Sequence, residues 1–81
     1  MASRTDLKTW VKDALRRHGG ELSLIDVAKD IWTHHEIELR DSGDLFFSWQ
    51  YDMRWACTAL REAGEIEPPE KRGMWKLVPG H

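Results

Sequence analysis

The apolar residues of this chain change their spacing at Gly64, from a helical repeat before it to an alternating one after it. That switch confines the fold to helices first and a small sheet last. Leu7, Trp10, Val11, Ala14 and Leu15 lie at i, i+3, i+4, i+7 and i+8, one face of a helix predicted over about Arg4 to His18. Ser3 or Thr5 suits its start and Gly19-Gly20 its stop. Leu24, Val27, Ala28, Ile31 and Trp32 repeat the pattern in a second helix running from Ser23 to His34 or His35, where Ser23 and Asp26 have the spacing of a capping box with Asp in place of Glu. Trp49, Met53, Ala56, Leu60 and Ala63 mark a third helix from about Ser48 to Ala63. Residues 36–47 set Ile37 and Leu39 among charges ahead of the turn cluster Asp41-Ser42-Gly43-Asp44, and read as a loop or a frayed helical turn.

Glu21-Leu22-Ser23 is a strand stub between the first two helices. Beyond Gly64, Glu65-Ile66-Glu67 and Met74-Trp75-Lys76-Leu77-Val78 alternate as the strands of a hairpin whose tip, Pro68 to Gly73, is basic. The expected fold is therefore α+β: three helices, a strand stub and a C-terminal hairpin, the element order of a winged helix. One domain spans residues 1–81, with an ordered core of about 4–78. In a chain this short only about 60% of the unfolded surface can be buried, so the five Trp residues are read as structural first. A lone cysteine, Cys57, excludes an internal disulfide and a Cys-rich zinc cage and fits a reducing, cytoplasmic setting. No apolar run has the length of a signal peptide or a membrane span, so no membrane partner is expected.

A net charge of −2 conceals an uneven distribution. Residues 1–20 carry five basic residues against two acidic ones, residues 21–49 two against seven, and the remainder balance. Affinity for nucleic acid must therefore come from a local face. At about 100° per residue, the third helix turns Trp49, Met53, Ala56, Leu60 and Ala63 to the core and Gln50, Tyr51, Arg54, Trp55, Thr58, Arg61 and Glu62 away from it. Arg, Gln, Thr and aromatic side chains are the types that read base edges or grip phosphate. The candidate nucleic-acid-binding residues are thus Gln50, Tyr51, Arg54, Thr58 and Arg61 on the helix, with Lys71 and Arg72 at the hairpin tip and the basic first helix helping to position the backbone.

Other chemistries have no foothold. His34 and His35 diverge on a helix, and with His18 and Cys57 they lack metal-ligand spacing. Cys57 sits beside the core face, as a small buried residue rather than a nucleophile, and Trp55 is better read as packing than as stacking on a base. No Ser-His-Asp order, glycine-rich phosphate loop or carboxylate cluster is present, so neither catalysis nor a cofactor is expected. The alternative to double-stranded DNA as partner is a protein, met by an aromatic patch of Phe46, Phe47, Tyr51 and Trp55 with an acidic rim from the middle segment.

The run Arg54-Trp55-Ala56, then Leu60-Arg61, Ala63-Gly64-Glu65-Ile66, Pro68 or Pro69, and Arg72-Gly73-Met74-Trp75-Lys76-Leu77 resembles the end of the N-terminal winged-helix domain of Mrr-type restriction endonucleases. The resemblance covers the last thirty residues, and the first fifty only by element order. It implies a DNA-targeting module rather than a hydrolase, since nothing here resembles that family's nuclease domain. By position it implies Arg54 and Arg61 on or beside the recognition helix and Lys71 and Arg72 at the wing tip. The acidic second helix and the segment after it depart from what a DNA-facing surface would carry.

Overall fold

A computed structural model describes residues 2–67 and 74–78. Its elements are α1 (Asp6–Arg17), β1 (Glu21–Ser23), α2 (Leu24–Arg40), α3 (Leu45–Glu62), β2 (Ile66–Glu67) and β3 (Met74–Leu77). The chain is a small α+β domain of three helices and a three-stranded antiparallel sheet, a layout compatible with a winged helix.

Both glycine stops work through the same backbone geometry. At the end of α1, Gly19 takes φ +81° and the Gly20 N–H donates to the Leu15 carbonyl; at the end of α3, Gly64 takes φ +77° and the Glu65 N–H donates to the Leu60 carbonyl. Each is a Schellman closure, which needs a left-handed residue that glycine adopts without steric cost. The Ser23 hydroxyl caps α2 by accepting from the Asp26 N–H at 3.1 Å. At α1 no hydroxyl plays that part: the Asp6 carboxylate reaches back to accept from the Ser3 N–H at 2.9 Å.

The strand stub is a full partner in the sheet. β3 is central, pairing with β1 (Leu22 opposite Trp75) and with β2 (Ile66 opposite Leu77), so the order is β1-β3-β2. The core joins Leu7, Val11, Ala14 and Leu15 of α1, Val27, Ile31 and Leu39 of α2, and Trp49, Met53, Ala56, Cys57 and Leu60 of α3 to Leu22 and Ile66 of the sheet.

Two expectations need correction. Residues 36–47 are mostly helical: α2 continues to Arg40, only residues 41–44 form the turn, and α3 begins at Leu45. The continuation bends at His35 (φ −129°, ψ +20°), whose ring stacks on Trp10 at 3.9 Å and 8°. Past the bend, Leu39 is fully buried while Ile37 is 82% exposed, so burial of one leucine draws the segment into the helix. Finally, Ala63 lies beyond the end of α3 and is exposed, because the Gly64 closure turns the chain off the core face before reaching it. Cys57 is fully buried beside the core face, as its position on the helix predicts.

Candidate nucleic-acid interface

The outer side of α3 presents Gln50, Tyr51, Arg54, Thr58 and Arg61 together, and all five are exposed. Phe47 belongs with them. It precedes Tyr51 by one turn and is 85% exposed, but a helix expected to start at Ser48 left it off the outer face. Phe47, Tyr51, Arg54, Thr58 and Arg61 recur at i, i+4, i+7, i+11 and i+14, a stripe about 21 Å long at 1.5 Å per residue. Its first half is aromatic and its second half is cationic and polar. The Thr58 hydroxyl donates to the Arg54 carbonyl at 3.1 Å, which leaves its oxygen to accept.

Several of the described basic residues meet a carboxylate within the fold, but Lys8 meets only the Trp55 ring and no described carboxylate pairs with Lys29. Arg4 lies 3.7 Å from Asp52, Lys12 bonds Glu65 at 2.6 Å, Arg16 bonds Asp13 at 3.1 Å, Arg17 holds Asp30, and Arg40 bonds Glu36 at 2.8 Å. Lys76 stands between Glu21 and Glu67 across the sheet. Among the described residues, no carboxylate pairs with Arg54 or Arg61. The four basic residues of the first helix thus meet partners within the molecule, Lys8 only through the Trp55 ring. Lys71 and Arg72 lie outside the described residues.

The aromatic residues separate into two groups. Trp55 is half-buried against α1, with the Arg4 guanidinium 3.7 Å and the Lys8 ammonium 5.0 Å from its ring centroid, so it packs and takes no part in an aromatic patch. Four others form a ladder: Trp49 stacks on Trp32 at 6.1 Å, Trp32 meets Phe46 at 6.4 Å, and Phe46 and Phe47 meet edge to face at 5.1 Å. Arg40 covers Trp32 and Phe46. Next to this ladder, Ile25, Ala28, Lys29, Trp32, Trp49 and Gln50 line a cleft of about 430 Å³ between α2 and α3.

A second polar cluster fixes how α2 meets α1. Asp30 is buried, accepts from the Arg17 guanidinium through both carboxylate oxygens, and bonds His18 Nε2 at 2.9 Å, while His34 Nδ1 bonds its backbone carbonyl at 2.9 Å. Burial alone would raise the Asp30 carboxyl, but the hydrogen bonds from Arg17 and His18, with the charges of Arg17 and His34, hold it below the usual carboxylate value. Burial pushes the Cys57 thiol up to about 12, and its side chain is inaccessible, which removes it from nucleophilic chemistry at neutral pH. Among the described residues no three His, Cys, Asp or Glu side chains are grouped to hold a metal.

The fold and this face define a small α+β domain whose third helix exposes Phe47, Tyr51, Arg54, Thr58 and Arg61, with one carboxylate, Glu62, also exposed at its end. No family model, curated protein or solved structure matches the chain.

Proposed function

We propose that this domain is a winged-helix module that binds double-stranded DNA, with α3 in the major groove and the hairpin on the backbone. The observation that carries this reading is that two cations sit together on one helix face: apart from Lys29, the basic residues of α1 and α2 meet partners within the fold, while Arg54 and Arg61, unpaired among the described residues, share a face with Gln50, Tyr51 and Thr58. A helix in the major groove needs such a face, with donors for base edges and phosphates and no internal carboxylate competing for them. Lys71 and Arg72 extend the surface on the sequence reading of the wing tip, and the likeness to Mrr-type N-terminal domains agrees with it.

The test is duplex binding by fluorescence anisotropy across about 50 to about 200 mM salt. Wild-type affinity should fall steeply with salt. Arg54→Ala and Arg61→Ala should each weaken binding, and an arginine that neutralises one phosphate should, when removed, lower the log–log salt slope by about 0.9. Undiminished affinity in the double variant overturns the assignment.

A second reading, a protein-docking surface, is favoured by a separate observation. Phe46, Phe47 and Tyr51 run on from the α2–α3 cleft as one apolar surface, with Phe47 85% and Tyr51 75% exposed. Contiguous exposed apolar surface of this kind marks interaction sites. Trp55, packed against α1 beneath Arg4, is not part of it.

A further inference from the structure

We infer that Phe47, with Tyr51 one turn further along, reads thymine in the major groove through its 5-methyl group. This rests on the DNA-binding reading above and deepens it. The two residues occupy the N-terminal part of α3, the part of a recognition helix that contacts base edges, whereas Arg61 lies about 21 Å along the axis, where the helix leaves the groove toward phosphate. Neither Phe47 nor Tyr51 is covered within the domain, at 85% and 75% exposure. The thymine methyl is the one apolar feature that the four base pairs present in the major groove, and aromatic or aliphatic side chains are its complement.

Phe47 is also supported from behind. Its ring meets Phe46 at 5.1 Å, Phe46 meets Trp32, and Trp32 stacks on Trp49, which is fixed in the core. Arg40 closes over Trp32 and Phe46 from the solvent side. The Phe46 contact gives the exposed Phe47 ring an apolar backing on one side, and the rest of its surface faces outward. Its neighbours on the stripe, Arg54 and Thr58, supply the polar contacts that set the helix in the groove. That continuity with the cations of the same face favours DNA over a protein as what Phe47 meets.

The experiment begins with a randomised duplex pool presented to the whole chain at low salt. Enriched duplexes are then remade with deoxyuridine in place of thymidine at single positions, which removes one methyl group and leaves pairing intact. A contacted methyl should be worth about fourfold in affinity, from about 0.8 kcal/mol per buried carbon. Phe47→Ala should bind thymidine and deoxyuridine duplexes alike, and Phe47→Leu should restore part of the discrimination. Because Phe47 is exposed, both variants should keep the wild-type circular dichroism and unfolding midpoint. If the pool is retained without enrichment, or enriched sites accept deoxyuridine without loss of affinity, or Phe47→Ala discriminates as wild type does, thymine reading is overturned while DNA binding stands. The last result would leave Phe47 to a protein contact. If the pool is not retained at all, DNA binding itself fails and the inference falls with it.

Discussion

The Asp30 carboxylate is almost out of water, and it stays ionised because Arg17 and His18 both bond to it. A buried carboxylate whose folded pKa is depressed adds stability above the unfolded value of about 3.9, and loses it as pH falls through the lower folded value. The contribution should therefore be constant from neutral pH to about pH 5 and vanish in acid. Asp30→Asn keeps the shape and removes the charge, and should cost about 1.5–3 kcal/mol at neutral pH, the range for hydrogen bonds to charged groups. Urea unfolding of both proteins from pH 7 downward checks this: the gap between the two midpoints should hold to about pH 5 and narrow as pH falls below about 3.9. A gap that does not change with pH would show that shape, not charge, sets the role of Asp30. Little of this was visible in the sequence, because Arg17 and His18 close one helix and Asp30 sits a full turn inside the next, and only the tertiary turn at Gly19-Gly20 brings them together.

At the scale of elements, the sequence was legible wherever one face of a helix is buried and the stop is a glycine. α1, the start of α2 and the body of α3 follow the apolar repeat, and both Schellman closures stand where glycines follow the last apolar residue. The far half of α2 was harder to read because Ile37 and Leu39 alternate like a strand, although Ile31, His35 and Leu39 share a helical spacing with a histidine in the middle position. A polar residue stacked on Trp10 can fill a core-facing position that hydropathy scores as a break. The same holds for the start of α3, where Leu45, four residues before Trp49, packs on the core from its margin and Phe46 meets Trp32. If Leu39 is what makes residues 36–40 helical, Leu39→Ala should cost about 2–5 kcal/mol, as for other fully buried leucines. Ile37→Ala, on the exposed side of the same turn, should change stability by less than about 0.5 kcal/mol. Thermal unfolding of the two variants separates the cases, and equal effects would mean that the segment is held by something other than Leu39. Phe47 was missed as part of the outer face of α3 for the same reason that the start of α3 was: its place on that face depends on where the helix begins.

For the whole molecule, the decisive property is how charge is divided between holding the fold and facing outward. A net charge of −2 predicts poor affinity for DNA, yet most of the acidic excess lies on residues 21–49, partly bonded to Arg17, Arg40 and His35, while the α3 stripe carries Arg54 and Arg61. Stability and binding should therefore respond differently to salt. The exposed ion pairs, such as Arg16–Asp13 and Arg40–Glu36, are each worth about 0–1 kcal/mol, and the buried Asp30 cluster is screened little. The apolar core that carries the fold is not weakened by sodium chloride at all. Raising salt tenfold should thus move the urea midpoint by no more than about 1 kcal/mol of stability. DNA affinity, if Arg54 and Arg61 each neutralise one phosphate, should fall by about 60-fold over the same range, and more if Lys71 and Arg72 also reach the backbone. Measuring both in one buffer series distinguishes failure of the interface from failure of the fold. Parallel losses would mean that salt unfolds the domain, and the charge contrast would then carry no information about DNA; affinity that ignores salt while the fold persists would move the binding surface off the arginines and onto the aromatic half of α3.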